Sequence, residues 1–305
     1  MTNAWVTIGS FDGVHIGHRS IIQDMVREAH TQNAPAVVIT FFPHPSVVLR
    51  NNLSLGYLTM PDERAELLAE LGIDYVITLE FTPALANLTA TEFFLMLSQG
   101  IHLKQLWVGH DFTLGKNREG NVARLKELGS QMGFSVHVVS PLMHAGHPVS
   151  SSRIRTLLAE GNVEQAARML GYFYALSGTV VIGDQRGHTL GFPTANLQPP
   201  PQRLIPAYGI YACWANVAGQ QYRSVTNIGV RPTFEPSLNT PRVETFILDF
   251  NQNIYNQPLK IQFVKFLRPE QRYPSQQALI EQINLDIEQS REVLKHAPST
   301  SSIPA

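Results

Sequence analysis

The chain has 305 residues, 44% of them hydrophobic and 15% charged, with 23 basic against 24 acidic side chains. That length exceeds one average domain, and the composition supplies ample core for two globular ones. A net charge of −1 provides no broad cationic field, which speaks against a nucleic-acid partner, whereas small anions need only a few local donors. The single cysteine, Cys213, excludes an intramolecular disulfide and a cysteine-rich metal site and reads as a small buried hydrophobe. The N-terminus runs directly into a strand-like segment, so no signal peptide is expected. The longest apolar runs, such as residues 36–42, fall far short of the ~20 residues of a membrane span. No membrane association is expected, and the cytoplasm is the default location.

In chain order, residues 5–8 predict a short strand, followed by a glycine-rich turn and a helix over 18–31. Residues 36–41 form a continuous β-rich run, the pattern of a strand covered on both faces. A helix over 62–71, a strand over 75–79, a helix over 91–99 and a strand over 105–108 come next. Then follow a helix over 122–132 and a strand over 135–139. Strands alternating with helices predict a parallel sheet, with ligands at the carboxyl ends of the strands. After Gly161 the pattern changes. Residues 162–170 predict a connecting helix, followed by strands over 176–182, 209–216, 221–227, 242–249 and 259–266. So little helix among them implies an antiparallel barrel. A helix over 275–295, with Leu279, Ile283, Ile287 and Leu294 on one face, closes the domain. The expected organisation is 1–158, a linker over 159–175, 176–296, and a disordered tail over 297–305.

The densest signal is the run from Gly9 to His18, which reads G-S-F-D-G-V-H-I-G-H. Glycines permit a tight turn and close backbone approach, and the helix that follows offers unpaired N–H groups and a favourable dipole to an anion. His15 and His18, three residues apart, can both donate to phosphate oxygens. Alone, an H-x-x-H pair would read as surface histidines or a metal site. In this setting the run resembles the HxGH-type nucleotidyltransferases, which transfer a nucleotide's α-phosphoryl group and release pyrophosphate. The resemblance places Gly9, Phe11 and Gly17 with the two histidines in the nucleotide site. It likewise implies that Ser151, Ser152 and Arg153, in V-S-S-S-R-I-R, hold the β- and γ-phosphates.

Two further runs resemble the bacterial FAD synthetase pattern: V-I-T-F-F-P-H-P, ending in His44 and Pro45, and V-G-H-D-F-T-L-G-K, containing Asp111. The resemblance implies that His44, Pro45 and Asp111 contact the flavin. Read alone, His44 is equally a turn residue and Asp111 a loop cap. Leu114 stands where an aromatic residue is usual, and altered packing beside the flavin or adenine is expected from it.

In the second half, the run from Gly183 through Arg186 and His188 to P-T-A-N at 193–196 resembles the riboflavin kinase pattern. N-I-G-V-R-P-T-F, containing Arg231, and R-V-E-T-F-I-L-D-F, containing Glu244, follow in the family's order. This resemblance implies that Gly183 and Arg186 bind ATP and that Arg231 contacts flavin. It also implies that Thr194 and Asn196 present oxygen ligands to Mg²⁺ bridging the ATP phosphates. Together the resemblances span about residues 5 to 295 and identify a bifunctional riboflavin kinase/FAD synthetase. They imply riboflavin, FMN, FAD, ATP and pyrophosphate as ligands, and no tightly bound prosthetic group.

The two reactions make different demands. The FMN phosphate has a second pKa of about 6 and attacks already ionised, so adenylyl transfer requires alignment and charge neutralisation but no base. The ribityl alcohol of riboflavin holds its proton, so the kinase step requires a carboxylate, and Glu244 occupies that motif position. His188, where arginine is usual, is expected to bring pH dependence if it faces phosphate, and is otherwise a neutral exchange on a solvated loop. Asn256 replaces a usual glycine, which a left-handed conformation would tolerate. An enzyme with one active head, or a silent flavin-binding regulator, remains an alternative, and the oligomeric state is open.

Overall fold

The computed structural model describes residues 1, 3–52, 54–144, 146–183, 190–230 and 241–298. The chain divides into two compact units, Met1–Ser151 and Ser152–Ala305.

The first unit follows β1 (Ala4–Ile8), α1 (Ile16–Thr31), β2 (Ala36–Phe42), α2 (Pro45–Arg50), α3 (Pro61–Ala69), β3 (Tyr75–Glu80), α4 (Pro83–Ala86), α5 (Ala90–Ser98) and β4 (Leu103–Gly109). It continues through the two-residue strands β5 (Thr113–Leu114) and β6 (Gly120–Asn121), then α6 (Val122–Met132) and β7 (Ser135–Val139), to a second small pair, β8 (Met143–His144) and β9 (His147–Pro148). The five long strands form one parallel sheet in the order β3-β2-β1-β4-β7. Alternation along β1 sends Ala4, Val6 and Ile8 into a core with Phe93, Phe94, Leu125 and Leu128 of α5 and α6. Trp5 faces the other way, into a core with Ile22 and Met25 of α1 and Leu68 of α3. The sheet is therefore covered on both faces, which explains the unbroken apolar run of β2. Strand order reverses between β1 and β4, so the turn after β1 opens at the switch point where such sheets bind ligands.

The second unit begins in α7 (Ser151–Ala159) and continues with α8 (Val163–Leu170), β10 (Ala175–Val181), β11 (Ala195–Gln198), β12 (Gly209–Val217), β13 (Gln220–Val230), β14 (Pro241–Ile247), β15 (Pro258–Arg268) and α9 (Gln276–His296). The strands close into an antiparallel barrel in the order β10-β11-β14-β13-β12-β15. The segment expected to connect the domains is α8, whose Ala167 joins Phe173, Ala212, Trp214, Val264 and Leu294 in one core cluster. Of the apolar face expected on α9, Leu294 is buried there, while Leu279, Ile283 and Ile287 line a cavity instead. Asn256 takes φ 62°, the left-handed region in which asparagine replaces glycine at little cost. Of the expected disordered tail, residues 299–305 lie outside the described residues. No described helix is long and apolar enough to cross a membrane.

Candidate functional site

The turn after β1 is an unusual piece of backbone. Phe11, Gly13 and Val14 all have positive φ, at 46°, 82° and 34°, and such values in a β-branched residue persist only where the surroundings enforce them. The Asp12 carboxylate accepts hydrogen bonds from Leu58 N–H (3.1 Å), Thr59 N–H (2.9 Å) and the Thr59 hydroxyl (3.1 Å). Gly13 N–H returns one to the Thr59 oxygen at 3.0 Å. Behind them Arg64, only 1% exposed, donates to Thr40 Oγ1 and to the carbonyls of Phe41 and Thr59, with a nitrogen 3.9 Å from Asp12. This buried network fixes the turn to the segment before α3.

Held on that turn, the two histidines stack, with ring centroids 3.6 Å apart and planes 15° from parallel. Phe11 packs edge-on against His18. A Cβ at Gly17 would press on the His15 ring at 3.3 Å, and one at Gly9 on the Phe11 ring at 3.1 Å, so both glycines leave space for the rings beside them. His15 caps α1: its Nδ1 accepts from His18 N–H at 3.3 Å, which leaves the proton of the neutral ring on Nε2 as a donor. Burial lowers His15 to a pKa of about 4, outweighing the opposing effects of its backbone hydrogen bond and of Asp12. Burial, then the neighbouring His15 and Arg64, hold His18 well below the ordinary value. Its Nδ1 is buried and finds no hydrogen-bond partner among the described residues. The site is thus a pair of neutral imidazoles, each with one ring N–H to donate. Ser151 is tied to it through Oγ, which donates to the Asp12 carbonyl at 2.8 Å. Ser152 and Arg153 follow on α7, the first exposed and the second half-buried.

Beyond the carboxyl ends of β1 and β2 lies a cavity of about 170 Å³, lined by Ile8, Phe41, Pro45, Phe112, Leu114 and Arg118, among others. Pro45 and Leu114 were legible in the sequence; Arg118 was missed, although a cation just after a glycine turn was the available signal. His44 is not in the lining: it caps α2 by accepting from Ser46 N–H at 3.1 Å. Asp111 also lies outside it, with its side chain 83% exposed.

The second unit holds a larger cavity, about 490 Å³, between one wall of the barrel and α9. Thr194, Asn196, Arg242 and Glu244 line its polar side. Strand register sets Asn196 of β11 and Asn227 of β13 on either side of Glu244 of β14. A Cβ at Gly183 would overlap the Asn196 carboxamide, so glycine there leaves that side chain its place. An Arg242 nitrogen stands 3.9 Å from the Glu244 carboxylate. At the other end Arg268 donates twice to Asp286, at 2.9 and 2.7 Å, fastening α9 to β15. Arg268, Glu270, Gln271 and Tyr273 all line the cavity and were not singled out from sequence. Arg186, His188 and Arg231 lie outside the described residues.

Comparison with known proteins follows the same division. The FAD synthetase family model matches residues 1–153, and the riboflavin kinase family model matches residues 170–294. A bifunctional riboflavin kinase/FMN adenylyltransferase of Listeria monocytogenes is 35% identical, covering 95% of this chain and 92% of its own. Its Escherichia coli K12 counterpart is 36% identical over 94% and 91%. A solved structure described as a macrolide-efflux protein from Streptococcus pneumoniae aligns with a TM-score of 0.89 and 31% identity, over 95% of this chain and 94% of that one.

Proposed function

The chain belongs to the bifunctional riboflavin kinase/FMN adenylyltransferase family, and from that premise we propose which residues carry each reaction. It is a transferase twice over: it phosphorylates riboflavin to FMN and adenylylates FMN to FAD.

The first unit performs adenylyl transfer. An oxygen of the FMN phosphate attacks the α-phosphorus of ATP, the new O–P bond forms, and the bond to pyrophosphate breaks. His15 Nε2–H and His18 donate to the phosphate oxygens as charge moves onto the leaving group, and Gly9, Phe11 and Gly17 shape their seat. Ser151, Ser152 and Arg153 at the start of α7 take the β- and γ-phosphates. The flavin occupies the apolar cavity at Pro45 and Leu114. His44 acts by capping α2 next to Pro45, and Asp111 meets the flavin's outer edge. The Asp12 carboxylate, engaged by residues 58 and 59, is no base here, and none is required.

The second unit performs the kinase step. The ribityl alcohol oxygen attacks the γ-phosphorus, its proton passes to Glu244, and ADP departs. Thr194 and Asn196 fit a hard cation, since their oxygen-bearing side chains line the cavity, Asn196 lies one strand from Glu244, and Gly183 leaves Asn196 its space. They would hold Mg²⁺, which when bound neutralises the ATP phosphates. Arg186 and Arg231, outside the described residues, are kept as proposed ligands of ATP and flavin respectively. The flavin ring lies against Ile210 and the α9 residues Leu279 and Ile283. We place the enzyme in the cytoplasm, where it draws on ATP and needs no tightly bound prosthetic group.

The observation that carries this assignment is the place of Glu244, a cavity carboxylate flanked across the sheet by the Asn196 side chain. Glu244→Gln tests it. Kinase turnover should fall by about 10²–10⁴-fold while FMN is still converted to FAD; an unchanged kinase rate would remove Glu244 from the role.

A further inference from the structure

The wall of the larger cavity is ordered along a single row. Register sets Asn196 beside Glu244, Glu244 beside Asn227, Asn227 beside Ile210, and Ile210 beside Arg268. All five line the cavity. They span five neighbouring strands at about 4.8 Å each. Along the row the chemistry passes from a carboxamide suited to a cation, to a carboxylate, a second carboxamide, an aliphatic side chain and a guanidinium.

Asn227 is the member that the kinase step leaves without a task. Its Oδ1 is buried and accepts no hydrogen bond from any described residue. A buried amide oxygen left unpaired is destabilising, and such exceptions point to bound molecules or functional roles. Thr226 and Thr245, on the other face of the same strands, show the alternative, pairing their hydroxyls at 3.0 Å.

The direction of the reaction supplies the partner. In phosphoryl transfer the attacking and leaving oxygens lie roughly in line, on opposite sides of phosphorus. With the ATP phosphates at Thr194 and Asn196, the alcohol reaches Glu244 from the other side, which is the Asn227 side. Beyond Asn227 come Ile210 and the apolar side chains of α9, which suit a flat ring system. The part of the substrate that crosses Asn227 is therefore the hydroxylated chain between ring and reacting alcohol. We infer that the Asn227 carboxamide binds a secondary hydroxyl of the ribityl chain, its Oδ1 accepting the hydrogen bond, and so selects flavins that carry a polyol chain. The inference rests on the assignment of Glu244 as the kinase base.

The test compares riboflavin with a flavin bearing a 5-hydroxypentyl chain, which keeps the reacting alcohol and lacks the secondary hydroxyls. Steady-state kinase kinetics are measured on the full-length protein and its Asn227→Ala and Asn227→Leu variants. Expected is a rise of about tenfold in KM for riboflavin, with KM for ATP unchanged and the hydroxypentyl flavin handled as by the wild type. An unchanged KM for riboflavin, or equal losses on both flavins, would overturn the inference. Glu244→Gln in the same assay separates the two levels. If it retains the full kinase rate, the assignment of the site falls. If it is inactive while both Asn227 variants behave as wild type, the Asn227 inference alone falls.

Discussion

Under the proposed assignment of residues, the two units solve phosphorus chemistry with opposite materials. The first holds its donors on a strained turn, as two stacked, buried, neutral histidines, and engages its nearby carboxylate Asp12 in structural hydrogen bonds. The second lays its groups along a regular sheet and leaves the carboxylate of Glu244 facing a cavity. The difference follows the nucleophile. A phosphate arrives ionised and must be aligned, whereas an alcohol must lose a proton as it attacks. Where no base is required the protein invests in fixing a loop; where one is required, strand register does the placing.

That contrast can be broken from the first unit. His18→Ala removes a buried ring from the proposed adenylylation site and should lower FAD formation from FMN by about 10²–10³-fold. Kinase turnover, read from riboflavin consumption by the same sample, should stay within twofold. Equal losses in both reactions would mean that the histidine turn does not serve one head alone.

Arg64→Met tests whether the turn depends on its buried network. Removing one member of a buried charged pair costs about 3–5 kcal/mol, because Asp12 loses its buried counter-charge while keeping its hydrogen bonds from residues 58 and 59. Unfolding of the first unit, followed by Trp5 and Trp107 fluorescence in a Trp214→Phe background, should move to lower temperature. A variant that melts like its parent would show that the turn is held by other means.

Acidity should discriminate between the units as well. The folded pKa of His15 lies near 4, against an ordinary 6.5, so between those values the unfolded chain binds more protons than the folded one. Stability of the first unit is therefore complete above about pH 6.5 and falls as pH drops toward 4. The same fluorescence, recorded from pH 7 to 4.5, should show a falling midpoint. His15→Phe should flatten that dependence, and an unaltered slope in the variant would contradict the buried neutral state.

The smallest effect concerns the first unit's cavity, which we propose takes the flavin. Leu114→Phe restores an aromatic ring to its lining, and an aromatic contact contributes about 0.5–1.5 kcal/mol. KM for FMN should fall by roughly three- to tenfold with little change in kcat. No change would place the flavin ring elsewhere.

Much of this was legible in the sequence, for physical reasons that also explain the gaps. Helix α6 and strand β7 were readable to both ends, because their apolar spacing is regular and Gly133 ends the helix in the left-handed region. The turn motif announced itself by its glycines and histidines, and the kinase half by motifs in order. Strand β11 escaped because four residues that begin inside P-T-A-N carry too little pattern to distinguish strand from turn. Helix α2 escaped similarly, starting directly after His44. The Asp12–Arg64 network joins residues 52 positions apart, and the row through Asn227 joins five strands in an order the sequence does not follow. Contacts of that kind arise from register and topology, which local periodicity does not encode.

The most direct test of the central claim is chromatography of the flavins made by Glu244→Gln from two starting points. Given riboflavin, ATP and Mg²⁺, the variant should form almost no FMN and hence no FAD; given FMN in place of riboflavin, it should form FAD at the wild-type rate. FMN accumulating from riboflavin at the wild-type rate, or FAD failing to form from FMN, would contradict the division of labour between a carboxylate in one unit and a neutral histidine pair in the other.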